Sequence, residues 1–538
     1  MDMSDFKNIT IIFCKITKNS LKWQRFLHSY NTMIQQFDFS AFKTAYFNRQ
    51  ALSMLFLGFA AGVPILLIFS SLGLWLREAG IDRSTVTMFS WAALGYSFKF
   101  IWSPLVDALP LPVLGKMLGH RRSWLLLCQV FIITAIIMMA MTDPAQVAPS
   151  VMAVGAVLLG FSAATQDIVI DAYRIESAPS EMQTALSASY VAGYRIGMII
   201  SGAGALYLAE LFGSKEGMYQ YVAWQKTYLI MACVMLIGVA TTLLIREPIR
   251  QVKPVVTQTT DHARLCVVFV LSVVAFIMTY RMMGGVLPES ESVGIAFLLG
   301  CVQFISSAVA MGVVGYGLVQ AGVVRREVAQ ATWIAPITDF FARYGKKAML
   351  LLALIGLYRI SDIVAGNISN LFYQDLGFTK IQIANAVKVV GVIASIGGGF
   401  VGGWVAQQMG VMRAMMVGAI LACATNLLFI ILANIPTILV MYFAVITDNL
   451  AAGLASAVFI AFLSALTSIR FTAVQYALFS SLMTLSPKIL GGYSGAIVDA
   501  TDYPTFFAIT FVIGLPILYL IHLADKHISL DESVLDKE

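Results

Sequence analysis

Apolar residues run through this chain in long unbroken stretches, and polar residues are confined to short segments between them. A helix needs about 20 predominantly apolar residues to cross a bilayer core. Fourteen runs have that length, near 51–75, 86–106, 123–142, 149–173, 185–210, 226–246, 263–283, 293–321, 347–374, 381–405, 412–433, 436–465, 473–497 and 505–524. No long segment alternates with the period of two that membrane β-barrel strands show. The pattern therefore predicts an all-α polytopic membrane protein. The runs group as six, two and six. That grouping predicts a tail at 1–50, a six-helix half at 51–250, a linker with two extra helices at 251–346, a second six-helix half at 347–524 and a short tail at 525–538. Two matched halves suit a carrier with its binding site between them near the midplane. The middle pair reads as a peripheral hairpin, because beyond its bounding polar stretch, which ends at Arg264, its helices carry no charge except Arg281 at one end.

Composition sharpens this. The chain is 59% hydrophobic and 12% charged, roughly half the charge of an ordinary soluble domain, which carries about 25%. A soluble enzyme and a disordered chain are excluded. The net charge of +6 comes from dispersed bases, with no basic face for nucleic acid. Sorting the bases by loop gives an orientation, since cytoplasmic loops are enriched in Lys and Arg. With the N-terminus inside, 24 fall on the cytoplasmic side, Arg174 among them, and six outside. Both termini are expected in the cytoplasm. Residues 1–50 lack the apolar core and cleavage site of a secretory signal. Their aromatic and basic residues alternate in a way that suits an interfacial helix or a plain tail. The six cysteines form no CxxC pair and the five histidines no ligand pair, so no metal and no bound cofactor is expected.

The chemistry concentrates in the charges inside the spans, since each costs about 2.5–3.5 kcal/mol to insert at a helix centre. Five bases lie there: Lys99, Arg195, Arg359, Lys388 and Lys488. Asp167 and Asp171 are four apart and share a helix face, with Gln166 beside them. Asp167 and Arg195 fall at compatible depth on adjacent spans. That arrangement is compatible with a static ion pair and equally with a carboxylate that loads and releases a proton. Lys99 suits a substrate carboxylate, neutralisation of Asp167, or snorkelling to the interface. In the second half, Arg359 and Asp362 are three apart and able to pair. Asp448-Asn449 lies on a later span, where Asp448 could pair with Arg359 or Lys388. Proton-coupling candidates are therefore Asp167, Asp171, Asp362 and Asp448. Substrate-binding candidates are Lys99, Gln166, Tyr194, Arg195, Tyr358, Arg359, Lys388 and Asn449, the tyrosines being able to stack on sugar faces or, as membrane-level aromatics more often do, to pack or anchor at the interface. Bases in both halves favour an anionic small molecule. Asp107, Arg121 and Arg122, with Arg413 at the matching position of the second half, suit a latch at the cytoplasmic end, and the arginines equally suit a plain positive-inside loop. Glycines four apart, Gly58/Gly62, Gly193/Gly197 and Gly398/Gly402, predict close helix approach.

Several of these blocks resemble one family. Phe98-Lys99-Phe100 with Trp102-Ser103-Pro104 and Asp107, Arg121-Arg122-Ser123-Trp124, Gln166-Asp167-Ile168-Val169 with Asp171-Ala172, and Gly193-Tyr194-Arg195 are similar to the bacterial muropeptide permeases of the AmpG type. So are Tyr358 to Asp362, Lys388 with Gly391, Asp448-Asn449 and Gln475-Tyr476-Ala477-Leu478. The resemblance covers roughly 51–250 and 347–523. It implies the major facilitator fold, the bacterial inner membrane, and a non-enzymatic importer that takes up anhydromuropeptides by proton symport. The proton would be its coupling ion, and a monomer is expected. The long tail, the stretched loop before Arg121 and Asp448 in place of Glu depart from the family pattern. The Gln166-Asp167-Ile168 block also resembles acetyl-CoA transporters, so another anionic metabolite is the alternative cargo, and a muropeptide sensor that does not transport is a further one.

Overall fold

In lipid every backbone polar group has to be satisfied within its own segment, which leaves helices as the solution for apolar runs of this length. The computed structural model describes residues 46–527 apart from 69, 82–85, 87–88, 90–93, 147–148, 215–217, 249–258, 289–292 and 492–493. Most of the expected N-terminal tail and nearly all of the C-terminal tail lie outside the described residues. The first half contains α1 (Arg49–Ile68), α2 (His120–Ala140), α3 (Pro149–Glu176), α4 (Gln183–Ile199) and α5 (Tyr221–Val234). The extra pair is α6 (Thr259–Val286) and α7 (Val293–Gln320). A short amphipathic helix α8 (Ala335–Tyr344) leads into the second half: α9 (Ala348–Leu357), α10 (Ile360–Asp375), α11 (Gly391–Met409), α12 (Val411–Asn434), α13 (Ile438–Leu466), α14 (Thr472–Gly491) and α15 (Tyr503–His527). Just ahead of α15, Asp502 accepts the Thr505 backbone N–H at 2.7 Å, and hydrogen bonding to the Thr505 side chain, together with this backbone bond, holds its carboxyl below the usual range.

Among the described residues, twelve helices are long and apolar enough to cross a membrane. The two other expected spans are not among those twelve. The run at 86–106 contains undescribed residues and is broken into Leu94–Phe98, a tight turn at Lys99–Ile101 and Ser103–Ala108. The run at 473–497 is α14 followed by Ser494–Ala500, with 492–493 between them undescribed.

The expected glycine pairs do set the helix approaches. A Cβ on Gly58 or Gly62 would run into the carbonyls of Tyr190 and Tyr194, and one on Gly193 into the carbonyl of Leu55. Helices α1 and α4 thus touch backbone to backbone. In the second half Gly398 and Gly402 face the carbonyls of Leu450 and Leu454, while Gly453 faces that of Ser395, which joins α11 to α13 in the same way. Each half then fills its own core. Trp75, Trp224 and Tyr228 pack together in the first, with Trp75 and Trp224 stacked at 5.7 Å. Phe372, Phe429 and Phe507 interlock in the second, with ring centroids 5.0–5.1 Å apart around Phe507. The halves meet where α4 packs on α11 and α13, and where α3 packs on α14.

Helices α6 and α7 pair with each other. Their apolar stretches are buried over only 17% and 6%, against 72% for α3. Val267, Val274, Met278, Val302, Val309 and Val313 point outward, as a hairpin in lipid requires. It is joined to the bundle by Phe304 stacked on Phe98 at 5.1 Å and by Leu265 and Val268 against Leu105.

Overpacking a tight contact costs about 1–3 kcal/mol. We expect Gly193→Ala to lower stability by that amount and Gly312→Ala, whose added Cβ meets nothing within 4 Å, to leave it unchanged. Thermal unfolding of the purified protein in detergent checks both, and equal midpoints would refute the close-approach account.

Candidate functional site

The interior charges form two layers. The first lies at the Asp107 end of the bundle. Asp107 closes the helix Ser103–Ala108, and Arg121 opens α2 after Gly119, whose φ of 88° only glycine adopts readily. Arg121 is 1% exposed. Its guanidinium donates to Asp107 Oδ1 at 2.7 Å, to Glu176 Oε1 at 2.6 Å and Oε2 at 3.0 Å, and to Thr472 Oγ1 at 3.0 Å. Thr472 opens α14, so this cluster reaches from one half into the other. Glu247 accepts the backbone N–H groups of Arg121 at 2.7 Å and Arg122 at 3.0 Å. Those are donors that a helix start leaves free, and a carboxylate is favoured there. Arg122 donates to the carbonyls of Thr242 and Leu243, where the preceding helix ends. The expected latch is therefore divided. Asp107 and Arg121 come together. Arg122 instead ties helix ends within the first half, and Arg413 stands exposed at the start of α12.

Arg174, counted by loop position among the surface bases, is fully buried. It donates to Ser187 Oγ at 3.0 Å and to Ser464 Oγ of α13 at 2.6 Å, and it lies over the Tyr476 ring at 5.1 Å. It also meets Asp171 at 3.4 Å, and Lys99 Nζ lies 3.5 Å from the other oxygen of the same carboxylate. Asp171 thus holds two cations, and all three groups are buried.

The second layer is deeper. Asp167 sits one turn along α3, where Lys99 and Asp171 are the charges that act on it. Arg195 is not among them. It is half-buried on α4, and the charge acting on it is that of Arg359 in the second half. The expected Asp167–Arg195 pair is not seen: Arg195 lies in the field of Arg359 of the second half, and Lys99 takes the place beside the carboxylates. Arg359 does pair with Asp362, through Nε at 2.7 Å and through Nη2, and its Nη1 reaches Ser456. Asp448 accepts from Thr425 Oγ1 at 3.0 Å and adds its charge near Arg359.

Asp167 Oδ1, both amide ends of Gln166 and the Tyr96 hydroxyl are buried without a hydrogen-bond partner among the described residues. Each such group costs about 1–3 kcal/mol, so fold stability alone does not explain them. Tyr96, Tyr190 and Tyr194 all lie within the field of Asp167. Tyr194 is half-buried, its ring 6.1 Å from that of Tyr190. Tyr358 takes a packing position instead. Its hydroxyl donates to the Met415 carbonyl at 3.1 Å and its ring stacks on Phe459 at 4.4 Å. Asn449 donates back to Val445 of its own helix at 2.9 Å and faces Gly391. Lys388 is exposed, within a wide helical turn at Ala384–Val390. The Lys488 side chain lies outside the described residues. Glu176, Glu247, Ser464 and Thr472 escaped the sequence reading. Two are acidic residues at loop edges, and two are neutral residues with no charge to single them out.

Residues 50–358 match the Major Facilitator Superfamily model, and the chain belongs to that family. It is a multi-pass membrane transporter rather than an enzyme. A Rickettsia felis protein that carries the transporter name AmpG 4 is 31% identical over 88% of this chain and 96% of its own length. The anhydromuropeptide permease of Escherichia coli K12 is 30% identical over 87% of this chain and 78% of its own. Among solved structures, the facilitator FucP superposes with a TM-score of 0.56 at 11% identity, over 89% of this chain and 99% of that one. The proton:xylose symporter XylE superposes with 0.55 at 11%, over 90% and 96%. Both share the fold.

Removing one member of a buried charge cluster leaves the others unpaired, at a cost of about 3–5 kcal/mol. We expect Arg121→Ala to destabilise the protein to that extent, by stranding Asp107 and Glu176. Arg121→Lys should recover only part, because a single ammonium cannot span both carboxylates and Thr472. Unfolding midpoints of the three proteins test this, and full recovery by lysine would contradict it.

Proposed function

We propose that this protein imports anhydromuropeptides across the bacterial inner membrane by proton symport with alternating access. The observation that carries this reading is that Arg195 of the first half lies within the electrostatic field of Arg359 of the second. Two guanidiniums in a medium of low dielectric repel, and an anion between them relieves the repulsion. A peptide carboxylate supplies that anion, and Tyr194 with Tyr190 offers ring faces for sugars. The name of the Escherichia coli relative supports the cargo. Asp167 is the proposed proton site, since its carboxylate is buried with one oxygen unpartnered. Asp171, held between Lys99 and Arg174, is the less mobile charge. Lys99 then biases the Asp167 carboxylate, and Arg359 is returned to Asp362 when the anion leaves. The excess of bases in the loops at the Asp107 end supports a cytoplasmic location for that end and for both termini. The carrier works as a monomer, each half supplying one side of the site.

Right-side-out vesicles and labelled anhydromuropeptide test the reading. Uptake should require an inward proton gradient, and Asp167→Asn should abolish gradient-driven accumulation while exchange of preloaded cargo persists. Arg195→Gln and Arg359→Gln should each raise KM by about tenfold or more, as expected for one charged hydrogen bond. Gradient-independent uptake would refute coupling, and absence of any uptake by the unaltered protein would refute the cargo.

A further inference from the structure

Between the hairpin and the second half, residues 324–344 touch both sides of the Asp107 end. Their first part packs on the first half: Val324, Val328 and Ala329 lie with Leu105 in one buried cluster, and the turn Gln330–Ile334 leans on Ser103–Ala108. That short helix carries Asp107. Arg325 pairs with buried Asp261 and fixes the start of the segment to α6. The later part, α8, packs on α14. Phe340 meets Phe479 edge-on at 5.1 Å. Gln475, 1% exposed, forms the centre of this attachment. Its Nε2 donates to the Pro336 carbonyl at 2.8 Å and to Asp339 Oδ2 at 2.8 Å. Its Oε1 accepts from Arg343 at 2.8 Å and from the Ser468 backbone N–H at 2.8 Å. Gln475 lies three residues after Thr472 on the first turn of α14. One turn of one helix therefore meets the Arg121 cluster with Thr472 and grips α8 with Gln475.

Where the first attachment ends, the backbone widens into a π-helical turn at Gln330–Ile334, with Pro336 two residues on. Such turns and prolines are where helices bend. We infer that residues 324–344 are a strap across the cytoplasmic gate, joined to Ser103–Ala108 at one end and to α14 at the other, and that Gln475 is the positioning residue that holds the gate-closed arrangement. This rests on the alternating-access reading above. Opening the gate separates Ser103–Ala108 from α14. The strap then has to bend at the π turn, and the three hydrogen bonds between Gln475 and α8 set how strongly α8 resists.

The test uses the full chain in lipid nanodiscs, with the six native cysteines replaced by alanine. Spin labels are placed through Met117→Cys and Arg470→Cys, both exposed on opposite sides of the gate. Pulsed dipolar spectroscopy then reads the inter-label distance distribution. The unaltered gate should show a short and a long population. Gln475→Leu should raise the long-to-short ratio about tenfold, the effect of losing one to two net hydrogen bonds. Arg343→Ala, a milder change at a partly exposed position, should shift it the same way by a smaller factor. Restoring the side chain in shortened form, Gln475→Asn, should recover part of the shift. Two populations that neither Gln475→Leu nor Arg343→Ala moves would overturn the strap while leaving alternating access standing. A single fixed distance at both acidic and alkaline pH would overturn both.

Discussion

A charge in a lipid-embedded bundle has to be answered by another group, and this requirement organises the whole of the described structure. The answers are layered. At the Asp107 end, Arg121 is met by two carboxylates and a hydroxyl, and Arg174 by Asp171, two hydroxyls and an aromatic face. Thr472, Ser464 and Tyr476 belong to the second half. These clusters therefore do two things at once: they satisfy buried guanidiniums and they hold the halves together at one end. Hydroxyls suit the second task. A hydrogen bond from a guanidinium to a hydroxyl is weaker than one to a carboxylate, so a contact across the interface can break while the ion pairs within the first half persist.

The apolar scaffold supports this by keeping helices closer than ordinary side chains allow. Gly58, Gly62 and Gly193 lock α1 to α4, and Gly398, Gly402 and Gly453 lock α11 to α13. Each half moves as a body only if its internal contacts are stiffer than those between halves. Inside each half helices touch backbone to backbone, whereas the polar contacts between halves at the Asp107 end run through hydroxyls and one aromatic ring. The hairpin α6–α7 stands outside the arrangement, exposed over most of its length, and enters it through Leu265, Val268 and the segment that follows α7.

How much of this is written in the order of residues depends on the kind of contact. Runs of apolar residues about 20 long have one structural solution in lipid, and glycine spacing reports which helix faces approach. The buried acids and bases also stand out, because nothing else explains them. What periodicity cannot supply is the partner. Asp167 and Arg195 share a depth, yet the charge that acts on Arg195 is that of Arg359, and the carboxylates of α3 are met by Lys99 from a broken helix that regular spacing does not place. Arg174 reads as a loop base because it ends an apolar run, but α3 continues to Glu176 and carries it inside. Tyr358 reads as a ring for cargo and is a packing residue. Ser464 and Thr472 carry no charge, so only their positions in space reveal that they answer arginines.

The balance of charge between the layers bears on how a proton and an anion would be coupled. Near the interface the first half holds Lys99, Arg174 and Arg195 against Asp167 and Asp171, and the second holds Arg359 against Asp362 and Asp448. Four bases face four acids. With Asp167 ionised the set is neutral and has no general attraction for an anion. With Asp167 protonated it carries one net positive charge, and the two bases left least compensated are Lys99 and Arg195. An anion then finds Arg195 and Arg359 with less competition from the protein's own carboxylates. By linkage, a bound anion in turn favours the protonated form of Asp167 by the same factor. Proton and cargo would thus enter as a pair because each removes a charge imbalance that the other creates, without direct contact between them.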